Sequence, residues 1–433
     1  MTTGHDDLLA IVRDALGDTL SAGSHICVGL SGGLDSVVLL HVLAQLRAEA
    51  TFELSAIHVH HGLSVNADGW ASFCEDLCSQ WGVACEVVRL QLPEASGKGI
   101  ERLAREARYE AFTAVSGDMI CLAHHRNDCA ETLLLNLFRG AGPIGLAGLP
   151  AQRMLGRKLL TRPFITTSRS DIQAWASAHQ LHWIEDESNA DVRFRRNFIR
   201  HRVLPVIAEA FPGVTDVLSR TAAHLGEQAE LLNRLAELEA HACRDSEGCL
   251  SVAQLQQLPE PAVRNILRHA LFKAGLQIPG ASRLTTFSTQ LMSARADSEV
   301  LVRMGAVGLH VWRDQIWVDR AMNLPVPPAS DIGSVSSAWP DGTLTIHDLT
   351  DGQDIRVQPL GHGQRFQPAG RCRDAVSELL RAQGVPPWVR PRLPCLWLRD
   401  RLAWVAGLGC AEEAASVRNI GRIRWTPHAS ERL

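Results

Sequence analysis

The sequence predicts an α/β protein: a parallel sheet covered by helices on both faces over the first two hundred residues, then a helical segment, then a small α+β module. Three observations carry this. Short apolar runs alternate with amphipathic stretches in the first part, the pattern of strand and crossover helix that builds a parallel sheet. A glycine-rich turn, VGLSGGLDS (28–36), stands at the first strand–helix junction, and such sheets gather ligands beyond the carboxyl ends of their strands. From about Asn197 to Leu276 helical periodicity replaces the alternation, and short β-like runs follow the proline-rich AMNLPVPPAS (321–330), which reads as a linker.

Taken in order, HICVGL (25–30) is a short buried strand, and SVVLLHVLAQLRAE after the glycine turn is a helix. ELSAIHVHH (53–61) is a second strand. In ADGWASFCEDLCSQWG, residues Trp70, Phe73, Cys74, Leu77, Cys78 and Trp81 recur at helical spacing and form one stripe. CEVVRL (85–90) is a third strand, GIERLAREARYEAFTAVS a helix, and DMICLAHH (118–125) a fourth strand. A helix from about Cys129 to Arg139 follows, then the strand candidate LLTRPFI (159–165) and a helix over DIQAWASAHQ. HRVLPVIAEAF, VLSRTAAHLGEQAELLNRLAELEAHA and AVRNILRHALFKAG are helical, and antiparallel helices there leave room for a homodimer interface. After the linker come GTLTIHDL, DIRVQPL, the helix DAVSELLRAQG, the break VPPWVRPRLP, and a hairpin of CLWLRD and LAWVAGLG. The expected domains are 1–212, 213–325 and 335–433.

The composition bounds the function. At 433 residues, 46% hydrophobic and 21% charged, the chain is long enough for two or three cores and is not of disordered type. The net charge of −4 gives no general affinity for nucleic acid, so any RNA contact must come from local clustering. Eleven cysteines are scattered without a CxxC, which argues against a zinc ribbon or a disulfide framework and suits reduced thiols. The acidic start MTTGHDDLLAIVRDAL lacks the apolar core of a signal peptide, and no long apolar run follows; the expectation is a cytoplasmic protein with no membrane segment.

In VGLSGGLDS, glycines let the backbone approach phosphate oxygens, and the first amides of the following helix point at the anion. Ser31 and Ser36 add hydroxyl donors, and Asp35 is placed to bind Mg2+ or to hold the loop. Gly32, Gly33 and Leu34 complete the candidate ATP cradle. There is no GxxxxGK[ST] and no GxGxxG at this turn, so two commoner nucleotide loops are excluded. SGGxDS resembles the pyrophosphate loop of ATP pyrophosphatases, which split ATP between the α- and β-phosphates and adenylate an oxygen of their substrate. That resemblance implies a sheet domain of the adenine nucleotide alpha hydrolase type.

Further segments resemble the lysidine synthases among those enzymes. HVHHGLSVNADGW (58–70) is similar to a segment lining the ATP site and makes His60 and His61 candidate contacts. In AHHRNDCAETLLLNLFRGAGPIGLAGLP (123–150), His124, Asp128 and Glu131 match the family's H-x-x-x-D-x-x-E-T pattern, and RGAGPIGLAG its glycine-rich turn. Asp128 and Glu131 lie one helical turn apart, and two such carboxylates can hold an ammonium or Mg2+. The resemblance implies the former, a cradle for the ε-amine of lysine. LAREARYEAF (103–112) matches the R-x-x-R-Y element, which puts Arg108 against developing phosphate charge or the RNA backbone. EDESNADVRFRRNFIRHRVLP (185–205) matches D-x-S-N…R-N-x-I-R-x-x-V-L-P; its five arginines and two phenylalanines form the basic patch that the net charge hides. Arg193, Arg195, Arg196 and Arg200 are the expected RNA contacts there. QPAGRCRDAVSELLRAQGVPPWVRPRLP (367–394) is similar to the family's terminal domain, with Arg371 and Arg373 as candidate RNA contacts in place of the relatives' lysines.

The resemblance implies ATP with Mg2+, free L-lysine, and a tRNA(Ile) whose CAU anticodon carries the wobble cytidine to be adenylated and then aminated. Asp35, Arg108, Asp128 and Glu131 are the expected catalytic set. Two alternatives stand beside it. Another ATP pyrophosphatase, a tRNA thiolase or a nucleotide amidase, would need a sulfur-relay cysteine pair or a glutaminase domain, and neither is visible: Cys74 and Cys78 lie on an apolar stripe and Cys129 has no cysteine nearby in sequence. An RNA-binding module with a degenerate nucleotide site would not need Ser31, Asp35, Ser36, Asp128 and Glu131 intact.

Overall fold

The computed structural model describes residues 7–20, 23–62, 64–90, 100–295, 300–328, 330–331, 336–346, 355–361, 363–370, 372–414, 423–429 and 431–433. Contacts group the chain into two compact units, 1–231 and 232–433. Arg371 and parts of the expected strand segments at 342–349 and 354–360 lie outside the described residues.

The first unit is built on six strands: β1 His25–Gly29, β2 Glu53–His60, β3 Ala84–Arg89, β4 Met119–Cys121, β5 Gln152–Leu155 and β6 Lys158–Thr161. Their spatial order is β3-β2-β1-β4-β6-β5. All neighbours run parallel except β5, which pairs antiparallel with β6. The expected parallel sheet therefore carries one antiparallel edge, because Gly156 (φ +60°) lets the chain reverse in a tight hairpin. The fourth strand is shorter than 118–125: after Cys121 the chain leaves the sheet, so Leu122–His125 form a loop at its carboxyl end.

The helices of this unit up to residue 178 are α1 Asp7–Leu16, α2 Leu34–Glu49, α3 Ala67–Gln80, α4 Ile100–Ala114, α5 Arg126–Leu137, α6 Pro143–Leu146 and α7 Arg169–Ala178. In α2, Val37 through Leu40, Val42 and Leu43 are all fully buried, because the helix lies between the sheet and α1 and α7. On α3, Cys74, Leu77 and Cys78 face the core and Phe73 and Trp81 pack at its margin, the stripe expected from their spacing. The chain moves outward from β1 to β2 and β3, then returns to the other side of β1 for β4. The crevice between the carboxyl ends of β1 and β4 is thus the topological switch point, where such sheets bind ligands.

The second unit holds helices Val252–Leu255, Glu260–Lys273 and Ala281–Ser293 packed on a sheet of Val300–Met304, Val307–Trp312 and Gln315–Asp319, which Glu431–Arg432 extends. It also contains a strand-rich module in which Pro394–Leu398 and Arg401–Val405 form the expected antiparallel hairpin, with Val376–Ala382 as its helix. Among the described residues no helix is long and apolar enough to cross a membrane.

Candidate active site

The glycine turn links β1 to α2. Ser36 caps it from inside: its Oγ donates to the Gly33 carbonyl at 2.9 Å and lies 3.0 Å from Ser31 Oγ, while the Ser31 amide donates to Ser36 Oγ at 3.2 Å. Gly32 has φ +84°, and a Cβ there would meet Ile184 Cδ1 at 2.7 Å and Cys74 Sγ at 3.2 Å. The turn therefore needs glycine both for its backbone and for the space beneath it. His58 Nδ1 and the Leu30 carbonyl lie 2.9 Å apart, which ties β2 to the entry of the turn. The first amides of α2 have no partner inside the helix and, with its dipole, offer an anion seat. Asp35 sits in that first turn, and its Oδ1 is buried without a hydrogen-bond partner.

Across the crevice, His125 caps α5. Its backbone N–H donates to Asp128 Oδ2 at 2.9 Å, and the Asp128 amide returns a bond to the His125 carbonyl at 3.0 Å. This turns the His125 ring, only 1% exposed as a residue, between two carboxylates: Nε2 lies 3.7 Å from both Asp35 Oδ2 and Asp128 Oδ2. Burial alone pulls the pKa of His125 down, but Asp35 and Asp128 outweigh it and the net shift is upward. His125, not the His124 singled out by the motif match, joins the glycine turn to the acid pair. His124 is half-buried, and desolvation pushes its pKa down to about 3.

Asp128 and Glu131 are 8% and 1% exposed. The structure brings them together with Arg196 and Arg200 in one network. Arg196 donates from Nε to Glu131 Oε2 at 2.7 Å and from Nη2 to Asp128 Oδ1 at 2.6 Å. Arg200 donates from Nε to Glu131 Oε1 at 2.5 Å and from Nη2 to Glu131 Oε2 at 3.0 Å. Two residues expected to face RNA thus neutralise two expected to hold an ammonium. Burial works to raise the Asp128 pKa, but His125 and Arg196 hold it below the usual carboxylate range. The arginines reach inward from the short helix α8 Arg195–Phe198 and the π-turn Ile199–Val203 that continues it. Pro205 has no N–H to give to the carbonyl of residue 201, which breaks the α-helical ladder where the wider turn forms.

The remaining candidates are more dispersed. His60 ends β2 and His61 follows it; His60 Nε2 lies 3.3 Å from Asp68 Oδ1, and burial and the nearby Arg108 push His61 down to about 4. Arg193 is paired with Asp191 at 2.7 Å on the surface, and Arg195 is exposed. Phe194 and Phe198, 40% and 49% exposed, present their rings to solvent beside them. Arg373 is exposed in the second unit. The structural part of His58, and of Arg162, which is 2% exposed, escaped the motif comparison: both act through packing between segments far apart in sequence.

Four histidines set an acid limit on this unit, His41, His58, His61 and His124, each with its pKa lowered first by desolvation. His41 accepts a hydrogen bond from Trp175 Nε1 at 3.1 Å and, desolvated, has its pKa lowered to about 4, alongside about 4 for His61 and about 3 for His124. Each contributes stability that is full above the ordinary value of 6.5 and is lost as pH falls toward the folded value. His125 opposes them, since its contribution is full below 6.5 and is lost as pH rises through its raised value. With four histidines against one, the urea midpoint is expected to be lower at pH 5 than at pH 7; equal midpoints would refute this balance.

A PP-loop domain model matches residues 6–207, a TilS substrate binding domain model residues 250–317, and a TilS substrate C-terminal domain model residues 355–425. The chain is 37% identical over 406 residues to a tRNA(Ile)-lysidine synthase of Azoarcus sp., covering 91% of this chain and 89% of that protein. It is also 37% identical over 427 residues to that of Pseudomonas aeruginosa, covering 94% of each, and 35% identical over 404 residues to that of Nitrosomonas europaea, covering 89% and 88%. With the glycine turn, the acid pair and the basic turn all in one crevice, and with likeness over nine-tenths of its length, the chain belongs to the tRNA(Ile)-lysidine synthase family.

Proposed function

We propose that the chain joins free lysine to carbon-2 of the wobble cytidine in the CAU anticodon of tRNA(Ile), using ATP and releasing AMP and pyrophosphate. The observation that carries this is the facing of the glycine turn and the acid pair across the switch point, joined by His125 between Asp35 and Asp128. ATP phosphates sit on the Ser31–Ser36 turn and the amides of α2. The cytidine carbonyl oxygen attacks the α-phosphorus, pyrophosphate leaves, and carbon-2 becomes electrophilic with AMP as leaving group. An anticodon loop can present this base, whereas a paired helix cannot.

The buried, unpartnered Asp35 Oδ1 fits a cation, and Mg2+ is commonly held by one or two carboxylates plus substrate phosphates. Among the described residues no three His, Cys, Asp or Glu are grouped to hold an ion by themselves. A Mg2+ held by Asp35 would neutralise charge on the phosphates.

The second step needs a neutral ε-amine at carbon-2. Asp128 and Glu131 are the ammonium's partners, since each carboxylate has about four acceptor positions and the arginines leave some open. Asp128, held ionised by His125 and Arg196, positions the amine, and one carboxylate of the pair or His60 accepts its proton. Arg108 faces phosphate charge. Arg193, Arg195 and Arg373 contact the tRNA, and the segments 213–325 and 335–433 hold its body. A sulfur relay lacks support: burial pushes the Cys129 thiol up to about 11, so it is protonated at neutral pH.

The test is incorporation of labelled lysine into a tRNA(Ile) transcript with the CAU anticodon. Incorporation that requires ATP, and is lost when the wobble cytidine is changed, is expected. Pyrophosphate release with some other acceptor and no lysine in RNA would overturn the substrate assignment.

A further inference from the structure

Tyr109 on α4 is surrounded by arginines. The guanidinium carbon of Arg105 lies 5.3 Å from its ring centroid, and that of Arg153, reaching from β5, lies 4.8 Å away. Arg162, directly after β6, is 2% exposed; its Nη1 donates to the Pro150 carbonyl at 2.6 Å, and its Nε is buried with no partner. Arg108 stands one residue before Tyr109 on the same helix. None of these four arginines forms an ion pair with another described residue, and Glu106 on the same helix has an interaction of its own. Desolvation lowers the pKa of both Arg108 and Arg162; Arg105 adds to this at Arg108, while at Arg162 Tyr109 opposes it, ahead of smaller lowering by Arg153 and Arg105.

Two further orphans border the cluster. His61, next to Arg108, and His124, next to Arg105 and Arg162, each keep a buried Nδ1 without a hydrogen-bond partner. Of the four arginines only Arg162 is buried, with Arg105, Arg108 and Arg153 exposed; a buried cation and polar atoms without partners are costly, and an anion in their midst would relieve both. Guanidinium groups present planar forked donors that match phosphate oxygens. The ATP phosphates already have the turn after β1, so this cluster, grouped about α4, β5 and β6, is available to a different anion.

We propose that Arg105, Arg153 and Arg162, gathered around Tyr109 beside Arg108, form a second phosphate site that takes a backbone phosphate of the single-stranded RNA loop carrying the target base. This rests on the function proposed above. Such contacts carry no sequence information; they fix where the loop lies, and so which base reaches the crevice.

Binding of the CAU transcript, followed by fluorescence anisotropy over a range of salt, tests it. Arg105→Ala with Arg153→Ala is expected to weaken binding roughly tenfold or more and to flatten the slope of log K against log salt by on the order of 1. The KM for ATP should not move. Arg153→Glu, a single exposed change on an edge strand, should show the same trend if the double variant folds poorly. Unchanged affinity and slope in folded variants would overturn the site. A shifted ATP KM or pyrophosphate inhibition at unchanged RNA affinity would assign the cluster to free phosphates and overturn the RNA source. Wild-type protein that binds the transcript yet attaches no lysine would refute the reaction, while the variants' slopes would still decide the phosphate site.

Discussion

Asp35→Ala is expected to cut ATP-dependent adenylation by on the order of 10³-fold while leaving transcript affinity within about twofold. Asp35 stands in the first turn of α2, beside the amides that receive phosphate, and its Oδ1 has no partner in the protein. A buried carboxylate oxygen is kept without a partner only where something else satisfies it. Its other oxygen faces His125, so the substitution also removes one of the two acids that hold that ring in place. Asp35→Asn keeps the shape but not the charge and should lose nearly as much. Pyrophosphate release with transcript present is the readout. An RNA-binding module that had lost its chemistry would show no release in the wild type and no change on substitution.

Much of this arrangement was legible beforehand because it is local. The strand–turn–helix at 25–49 is a run of apolar residues, two glycines and a helix in sequence order, and each part dictates its own conformation. The short acid spacing of Asp128 and Glu131 likewise follows from one helix. What escaped depends on phase or on distance. His124 and His125 are adjacent, and which of them turns toward Asp35 is decided by the capping box at Asp128, not by residue type. The strands at 300–319 fall in the expected 213–325 domain but beyond its helical stretch, where the sequence pattern marks no strand, because their stability comes from packing on helices such as Glu260–Lys273 rather than from strong alternation. Likewise, a charge run read as an RNA face turned two of its arginines inward, onto acids 65 to 69 positions earlier.

That inward pairing gives the second large effect. Glu131 is 1% exposed and accepts three hydrogen bonds from Arg196 and Arg200. Glu131→Gln leaves two arginines with one carboxylate and turns an amide N–H₂ toward a guanidinium. Breaking a buried pair costs about 3–5 kcal/mol; here the arginine side chains keep 35% and 23% exposure, so water recovers part and about 2–3 kcal/mol of unfolding free energy should be lost. Arg200→Gln in the same chain should restore some of it, a coupling of about 0.5–3 kcal/mol by double-mutant cycle, because it removes the stranded charge. The chemistry should divide as well. The glycine turn and Asp35 are untouched, so the folded variant should still release pyrophosphate with ATP and transcript. Lysine attachment should fall by on the order of 10²-fold or more, since the ammonium loses a partner worth about 3 kcal/mol in a desolvated site. Adenylated transcript should therefore accumulate and be visible as label from α-³²P ATP retained on RNA. Equal loss of both steps would place Glu131 in holding the crevice together and remove it from the lysine site.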